Sequence, residues 1–385
     1  MKKSSVASTL ISLVAVLCAA SLAEDEYLIA NANSYPNNSL VVYRLDTESG
    51  SLTQIAAVPT GGNGVGPGGP QNVSNIGQAI SPNAACVFAL DHGIVPNPTD
   101  IAAFSKATGY AKVGNYSNAS LQEGGPGGSL ALTPNGQFLY ANYSETENIG
   151  AWAVNGDCSL SLVATYPTGY DGTIGTVKVA PNGAHLVVGV ELFAIDQKDG
   201  TLTYLESLSG PACPYGCTVA GVDFTKDSKV AIFAANWGIA RGFDIPVAVS
   251  AMVTPTGFKQ VRGWSLQNSA QLAFNSVPFF SAAGYAGSGN LYFGMYGGES
   301  FPGVLTASFT ESPLQITVTN ATVIDPTIYV GAIASTGNLM VVAEYPNQIG
   351  VFSVNPDGSL TELSTTTIKT EDPGMFSLSL FPNTR

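Results

Sequence analysis

A chain of 385 residues with 27 acidic against 14 basic residues carries a net charge of −13, although charged residues make up only 11% of it. This balance excludes a nucleic-acid ligand, whose phosphates need clustered Lys and Arg, and it argues against anionic membranes. With 43 Gly and 23 Pro among 45% hydrophobic residues, and no sustained 3.6-residue apolar period, the chain reads as all-β.

The chain opens with Met1-Lys2-Lys3, an apolar run over 6–20, and Ser21-Leu22-Ala23 ahead of Glu24-Asp25-Glu26. This pattern predicts a secretory signal peptide over residues 1–23. A membrane anchor needs roughly 20 apolar residues, and this run is shorter and broken by Ser8, Thr9 and Ser12. Cleavage would leave 12 basic against 27 acidic residues, a mature charge of −15. The mature chain, residues 24–385, is expected to form one domain in the secretory lumen or outside the cell.

Residues 130–168 show the repeating unit. Four short apolar runs, 129–132, 138–143, 149–154 and 160–166, are separated by turn residues such as Thr133-Pro134-Asn135-Gly136 and Gly156-Asp157-Cys158. Each run reads as a strand, and together they make one antiparallel blade with strands a to d from the inside outward. The same turns recur at intervals of about 45 to 60 residues, as in propeller blades. The a–b turn recurs seven times, from Ser81-Pro82-Asn83 to Phe381-Pro382-Asn383, and the c–d turn also seven times, from Ser49-Gly50-Ser51 to Asp357-Gly358-Ser359. Tight hairpins favour Gly, Asn and Asp at these places because the backbone must reach positive φ.

The two series are out of phase. The chain begins with a strand b over 27–32 that has no strand a, and ends with a strand a over 376–381 that has no blade. Pairing them predicts a seven-bladed β-propeller of four-stranded antiparallel blades, closed without open edges.

Cys18 lies in the leader, which leaves Cys86, Cys158, Cys213 and Cys217. An even count in a secreted chain favours disulfides: Cys213 with Cys217 across a small loop, and Cys86 with Cys158 by elimination. The rival reading, zinc, has a C-x3-C spacing with no nearby His against it. Sequons at Asn37, Asn72, Asn115, Asn118, Asn142 and Asn320 are candidate glycosylation sites if the secretory pathway is eukaryotic.

The b–c loops and the links between blades share the face opposite the two hairpin turns, so a ligand is expected there. His92, in Asp91-His92-Gly93, is the candidate general acid or base on that face, and Arg241 is the candidate polarising cation. Tyr143, Trp237, Tyr296, Glu344 and Tyr345 are the candidate substrate-binding residues, with Glu191 among further acids able to reach the opening. His185, beside the Pro181-Asn182-Gly183 turn, is read as structural. There is no G-x-S-x-G elbow, and the Gly-rich run 61–69 lacks the Gly-Lys-Ser/Thr of a phosphate cradle. Neither a cofactor nor a metal is expected, and the anticipated partner is a small-molecule substrate.

The blade pattern, with Pro134-Asn135-Gly136, Phe138-Leu139-Tyr140-Ala141-Asn142, Val351-Phe352-Ser353-Val354 and Asp357-Gly358-Ser359-Leu360, resembles the seven-bladed propeller family of lactonases and fungal carboxymuconate cyclases. The resemblance covers nearly all of the mature chain and implies a propeller acting on a small ring-containing substrate. Family members that take phosphorylated or polycarboxylate substrates are known for basic and His residues in the pocket. Here the corresponding approach to the second blade along the chain reads Gly69-Pro70-Gln71-Asn72-Val73-Ser74-Asn75, without His, and the mature chain has only Arg44, Arg241, Arg262 and Arg385. That departure argues against phosphogluconolactonase and carboxymuconate cyclase activity, because anionic groups would be left poorly paired. A looser similarity is to secreted fungal hetero-Diels-Alderases of tropolone-sesquiterpenoid pathways. The leading expectation is therefore a secreted cyclase or isomerase that forms or rearranges a ring in a weakly charged substrate. Lactone hydrolysis is the alternative, and a non-catalytic secreted binding protein the third reading.

Overall fold

The computed structural model describes residues 26–64, 78–80, 85–91, 100–117, 128–143, 148–169, 176–209, 217–237, 245–265, 279–285, 289–296, 303–324, 329–336, 338–345, 347–369 and 377–381. The predicted signal peptide lies outside them. Blade VII takes β1 (Glu26–Asn31), β2 (Ser39–Leu45) and β3 (Leu52–Pro59) from the start of the chain. Blade I is β4 (Gln78–Ile80), β5 (Cys86–Asp91), β6 (Asp100–Ser105) and β7 (Ala111–Tyr116). Blade II is β8 (Gly128–Leu132), β9 (Phe138–Tyr143), β10 (Asn148–Val154) and β11 (Leu160–Pro167). Blade III is β12 (Val177–Val179), β13 (His185–Val188), β14 (Glu191–Ile195) and β15 (Leu202–Ser207). Blade IV is β16 (Cys217–Phe224), β17 (Val230–Trp237), β18 (Ile245–Thr254) and β19 (Gly257–Ser265). Blade V is β20 (Phe279–Tyr285), β21 (Asn290–Tyr296), β22 (Gly303–Glu311) and β23 (Leu314–Val323). Blade VI is β24 (Tyr329–Thr336), β25 (Leu339–Tyr345), β26 (Gln348–Val354) and β27 (Leu360–Thr367), and β28 (Ser377–Phe381) completes blade VII.

All seven sheets are four-stranded, and β28 pairs antiparallel with β1 from Tyr27↔Phe381 to Asn31↔Ser377, so the expected ring closure is present. The innermost strands β4, β8, β12, β16, β20, β24 and β28 contact one another in a closed cycle. No helix among the described residues is long and apolar enough to cross a membrane.

Local side chains dictate the hairpins. Asp157, Asp199 and Asp357 each accept the hydroxyl of the residue two positions on at 2.6 or 2.7 Å and its backbone N–H at 2.9 or 3.0 Å. These bonds hold the turn and keep the three exposed carboxyls below the usual carboxylate range. At the a–b turns, the Thr133 and Thr225 hydroxyls accept Phe138 N and Val230 N, both at 3.0 Å.

Strands b and c are buried on both faces, which is why they read as near-continuous apolar runs. Their alternate residues enter different cores. Leu139 and Ala141 pack with blade I, whereas Phe138 and Tyr140 pack with blade III. The seven buried clusters each lie between two neighbouring blades, so the hydrophobic core is itself a ring.

Neighbouring blades are also joined at one recurring place, where the c–d turn of one blade meets strand b of the blade before it. Tyr140 donates its hydroxyl to Gly200 O at 3.0 Å, and Tyr292 donates to Gly358 O at 3.2 Å. Between blades I and II the same place is covalent, a Cys86–Cys158 disulfide with a Cα–Cα distance of 5.4 Å. This is the pairing expected by elimination. Cys213 lies outside the described residues and Cys217 is described in its backbone alone, so the other pairing does too.

Candidate functional site

The meander puts the a–b and c–d hairpins on one face of the ring and the b–c loops and blade links on the other. On that second face strand b ends, blade by blade from I to VII, in Asp91, Tyr143, Val188, Trp237, Tyr296, Tyr345 and Asn31. In six blades this last residue lies opposite the first residue of strand a, as in Tyr143↔Gly128, Trp237↔Cys217, Tyr296↔Phe279 and Tyr345↔Tyr329. Four of the five expected substrate-binding residues therefore occupy one equivalent position on this face of the ring. For these four the backbone is described and the side chain is not. Glu344, the fifth, is 2% exposed and sits opposite Val330, one residue inside the same row. Its carboxyl packs so tightly on strand c that a Cβ at Gly350 would stand 2.1 Å from Oε1. His92 and Arg241 lie outside the described residues, one place after Asp91 and four after Trp237.

The innermost strands of blades IV, V and VI are longer than the others, and each is bulged near this face. The a–b register skips Ala220, Ser281 and Gly331. A bulge bends the strand, so the innermost strand takes a different backbone path in three consecutive blades. On innermost strands of neighbouring blades, Lys178 of β12 and Asp223 of β16 form an ion pair at 3.0 Å across blades III and IV.

A polar cluster at the junction of blades VII and I was not anticipated as a site. Asp91 is 0% exposed, and its Oδ1 accepts Asn38 Nδ2 at 2.7 Å and the Thr60 hydroxyl at 2.6 Å. Asn38 Nδ2 also reaches Asn31 Oδ1 at 2.8 Å, and Asn31 Nδ2 donates to Leu90 O at 3.0 Å. Directly opposite Asp91 in the β5–β6 ladder stands Asp100, whose two oxygens accept Asn115 Nδ2 at 3.0 Å. Burial, then the proximity of Asp100, holds the Asp91 carboxyl well above the ordinary range, and burial also raises Asp100. The signal available in the sequence was two Asp flanking one b–c loop. Their partners Asn38 and Thr60 come from another blade, and only the ring brings them near.

Glu191 of β14 lies on the same face. Its Oε1 accepts Gly169 N at 2.9 Å, and burial raises its carboxyl. His185 is buried at the opposite end of β13, as read from the sequence, and burial lowers its imidazole. Among the described residues no group of three or more His, Cys, Asp or Glu is placed to hold a metal ion. Of the sequons, Asn37 and Asn115 are exposed and Asn320 is half-buried, while Asn72 and Asn118 lie outside the described residues. Asn142 is corrected: at 3% exposure in the middle of a blade, its amide has no room for a glycan.

The fold is shared with a putative 6-phosphogluconolactonase from Bacteroides fragilis, at TM-score 0.64 and 14% identity over 93% of this chain and 98% of that one. It is equally similar to the periplasmic gluconolactonase of Pseudomonas aeruginosa, at TM-score 0.65 and 14% identity over 92% and 98%. A protein from Lactobacillus plantarum matches at TM-score 0.65 and 14% identity over 93% and 99%. At such identity the likeness is one of fold. No family model and no curated protein matches the chain.

Proposed function

We propose that this protein is a secreted enzyme that opens a weakly charged lactone ring at the second face of the propeller. The observation that carries the reading is the register of strand b: Tyr143, Trp237, Tyr296 and Tyr345 share one position around the mouth, with Glu344 one residue inside. Aromatic residues suit the apolar faces of a small neutral ring. The acidic balance of the chain, 27 against 14, disfavours a phosphorylated substrate. The names of two fold neighbours, a gluconolactonase and a putative 6-phosphogluconolactonase, support ring opening. Ring formation, including a hetero-Diels-Alder addition, draws on the sequence alone.

In the proposed step His92, or a carboxylate at the mouth, takes a proton from water. The resulting hydroxide adds to the acyl carbon while Arg241 offers a positive charge to the carbonyl oxygen. The acyl–oxygen bond of the ring then breaks, and the departing alkoxide recovers the proton from the base. Water is consumed and a hydroxy acid leaves.

The test is acid release in a pH-stat from neutral γ- and δ-lactones, with 6-phosphogluconolactone as the anionic comparison. Neutral lactones should open well above their spontaneous rate, the phosphorylated one should not, and His92→Ala should slow the reaction about 10²-fold or more. Acid release at the buffer rate from every lactone would overturn the reading.

A further inference from the structure

Blade VII alone is assembled from both ends of the chain, so its seam with blade I helps to hold the ring shut. At the second face that seam is the Asp91 cluster. Three of the four carboxyl oxygens of Asp91 and Asp100 already accept N–H or O–H groups. The fourth, Asp91 Oδ2, is buried and has no hydrogen-bond donor among the described residues. Gly62, from the blade VII loop, closes over it so tightly that a Cβ there would stand 2.6 Å from Oδ2.

Among the described residues, the groups facing this pair from the surrounding elements are few. Asn31 and Asn38 from blade VII, and Thr60 with Gly62 from its loop, are uncharged. From β7 come Asn115 and Lys112, whose ammonium donates to Thr60 O at 3.1 Å and favours the ionised form of Asp100 through its charge. His92 follows Asp91 in the chain and lies outside the described residues. Within that set, the Asp100 carboxyl is the group left to satisfy Oδ2, and it can donate only when protonated.

We propose that Asp91 and Asp100 hold one proton between them and that this proton latches blade VII to blade I, making the closed ring tighter in acid than at neutral pH. Two adjacent carboxyls, Asp91 buried and Asp100 half-buried, cannot both ionise cheaply, which is the physical reason one keeps its proton. A divalent cation fits the place less well. Calcium takes six to eight oxygens at about 2.3–2.6 Å, and three of these four oxygens are already engaged by hydrogen-bond donors.

The sign follows from the direction of the shifts. Both carboxyls titrate higher in the fold than the unfolded value of about 3.9. Their contribution to stability is therefore complete below that value and is lost as pH rises through the folded one. The exposed turn carboxylates of Asp46, Asp157, Asp199 and Asp357 are lowered and work in the opposite sense, losing stability as pH falls. A comparison between variants cancels their effect.

The experiment is urea unfolding of the mature chain from about pH 4 to pH 8 for wild type, Asp91→Asn and Asp100→Asn. Asn at 91 keeps an acceptor for Asn38 and Thr60 and supplies an N–H toward Asp100. Relative to Asp91→Asn, the wild-type folding constant should fall by up to about tenfold per pH unit above pH 4, and the variant should be the more stable protein at neutral pH. Asp100→Asn should flatten the profile in the same way. Parallel pH profiles for all three proteins would overturn the latch. Should either variant fail to fold, carboxyl-carbon NMR of the wild type decides: two aspartates titrating near 3.9 would overturn it, and one retaining its proton well above that value would support it.

Discussion

Gly109 and Gly200 occupy the same kind of c–d turn, at φ +70° and +77°, but their surroundings differ. A Cβ at Gly109 would meet nothing within 4 Å, whereas one at Gly200 would stand 2.3 Å from Phe138 Cδ1 of the preceding blade. Ala at either position accepts a left-handed backbone, which costs about 1–2 kcal/mol. At Gly200 the overlap adds an overpacking cost of about 1–3 kcal/mol, because Phe138 belongs to the blade II–III core. Gly109→Ala should thus lower the urea midpoint modestly, and Gly200→Ala by roughly twice as much. Equal losses would mean that turn strain alone decides, and that the contact between turn and neighbouring blade carries little. The conformational need for Gly at these turns was legible in the sequence. The second constraint was not, since Phe138 and Gly200 meet only across a blade boundary.

That boundary contact recurs as an element-level device. A tyrosine hydroxyl reaches the turn carbonyl of Gly200 or Gly358, and the Cys86–Cys158 bond takes the corresponding place between blades I and II. The two chemistries differ in strength. A single hydrogen bond is worth about 1 kcal/mol net. A cross-link spanning 72 residues restricts the unfolded chain by about 4 kcal/mol on the chain-entropy estimate. Cys86→Ser with Cys158→Ser should therefore destabilise the protein several times more than Tyr140→Phe, as read from urea unfolding under non-reducing conditions. Addition of a thiol reductant should lower the wild type toward the double variant and leave that variant unchanged. A double variant as stable as wild type would show that the packed cores alone fix the blade I–II boundary. Outer edges are managed differently. The c–d register shifts once in each of the seven blades. Bulges on the outermost ladder twist the exposed edge away from flat pairing with another sheet. No turn motif announces these bulges, because a bulge is an offset between two strands and not a property of either one.

At the scale of the whole molecule, the architecture was legible because it is written locally. Hairpins such as those at Thr133, Asp157, Asp199, Thr225 and Asp357 are held by their own side chains, and repetition of such turns in the sequence counts the blades. The row of strand-b ends was legible for the same reason: Tyr143, Trp237, Tyr296 and Tyr345 end one apolar run each, so strand boundaries alone give them the same position. Asp91, Asp100, Asn38 and Thr60 were not, since they converge only when blade VII, made from both termini, docks on blade I. This dependence makes ring closure the most exposed point of the fold. β28 contributes Leu378 and Leu380 to the blade VI–VII core and covers β1 from Tyr27 to Asn31. Removing residues 377–385 would uncover two leucine sites, worth about 1.5–3 kcal/mol each, and leave β1 with an unpaired edge. Those losses are comparable to the whole stability of an ordinary domain, about 5–15 kcal/mol. The truncated chain should elute as an aggregate or an expanded species and lose its cooperative melt. A synthetic peptide spanning 374–385 should restore the wild-type elution volume by re-pairing with β1. A truncated chain that melts like wild type without the peptide would mean that six blades and three strands close the ring unaided, and the Asp91–Asp100 seam would then have to supply the holding force that β28 was expected to share.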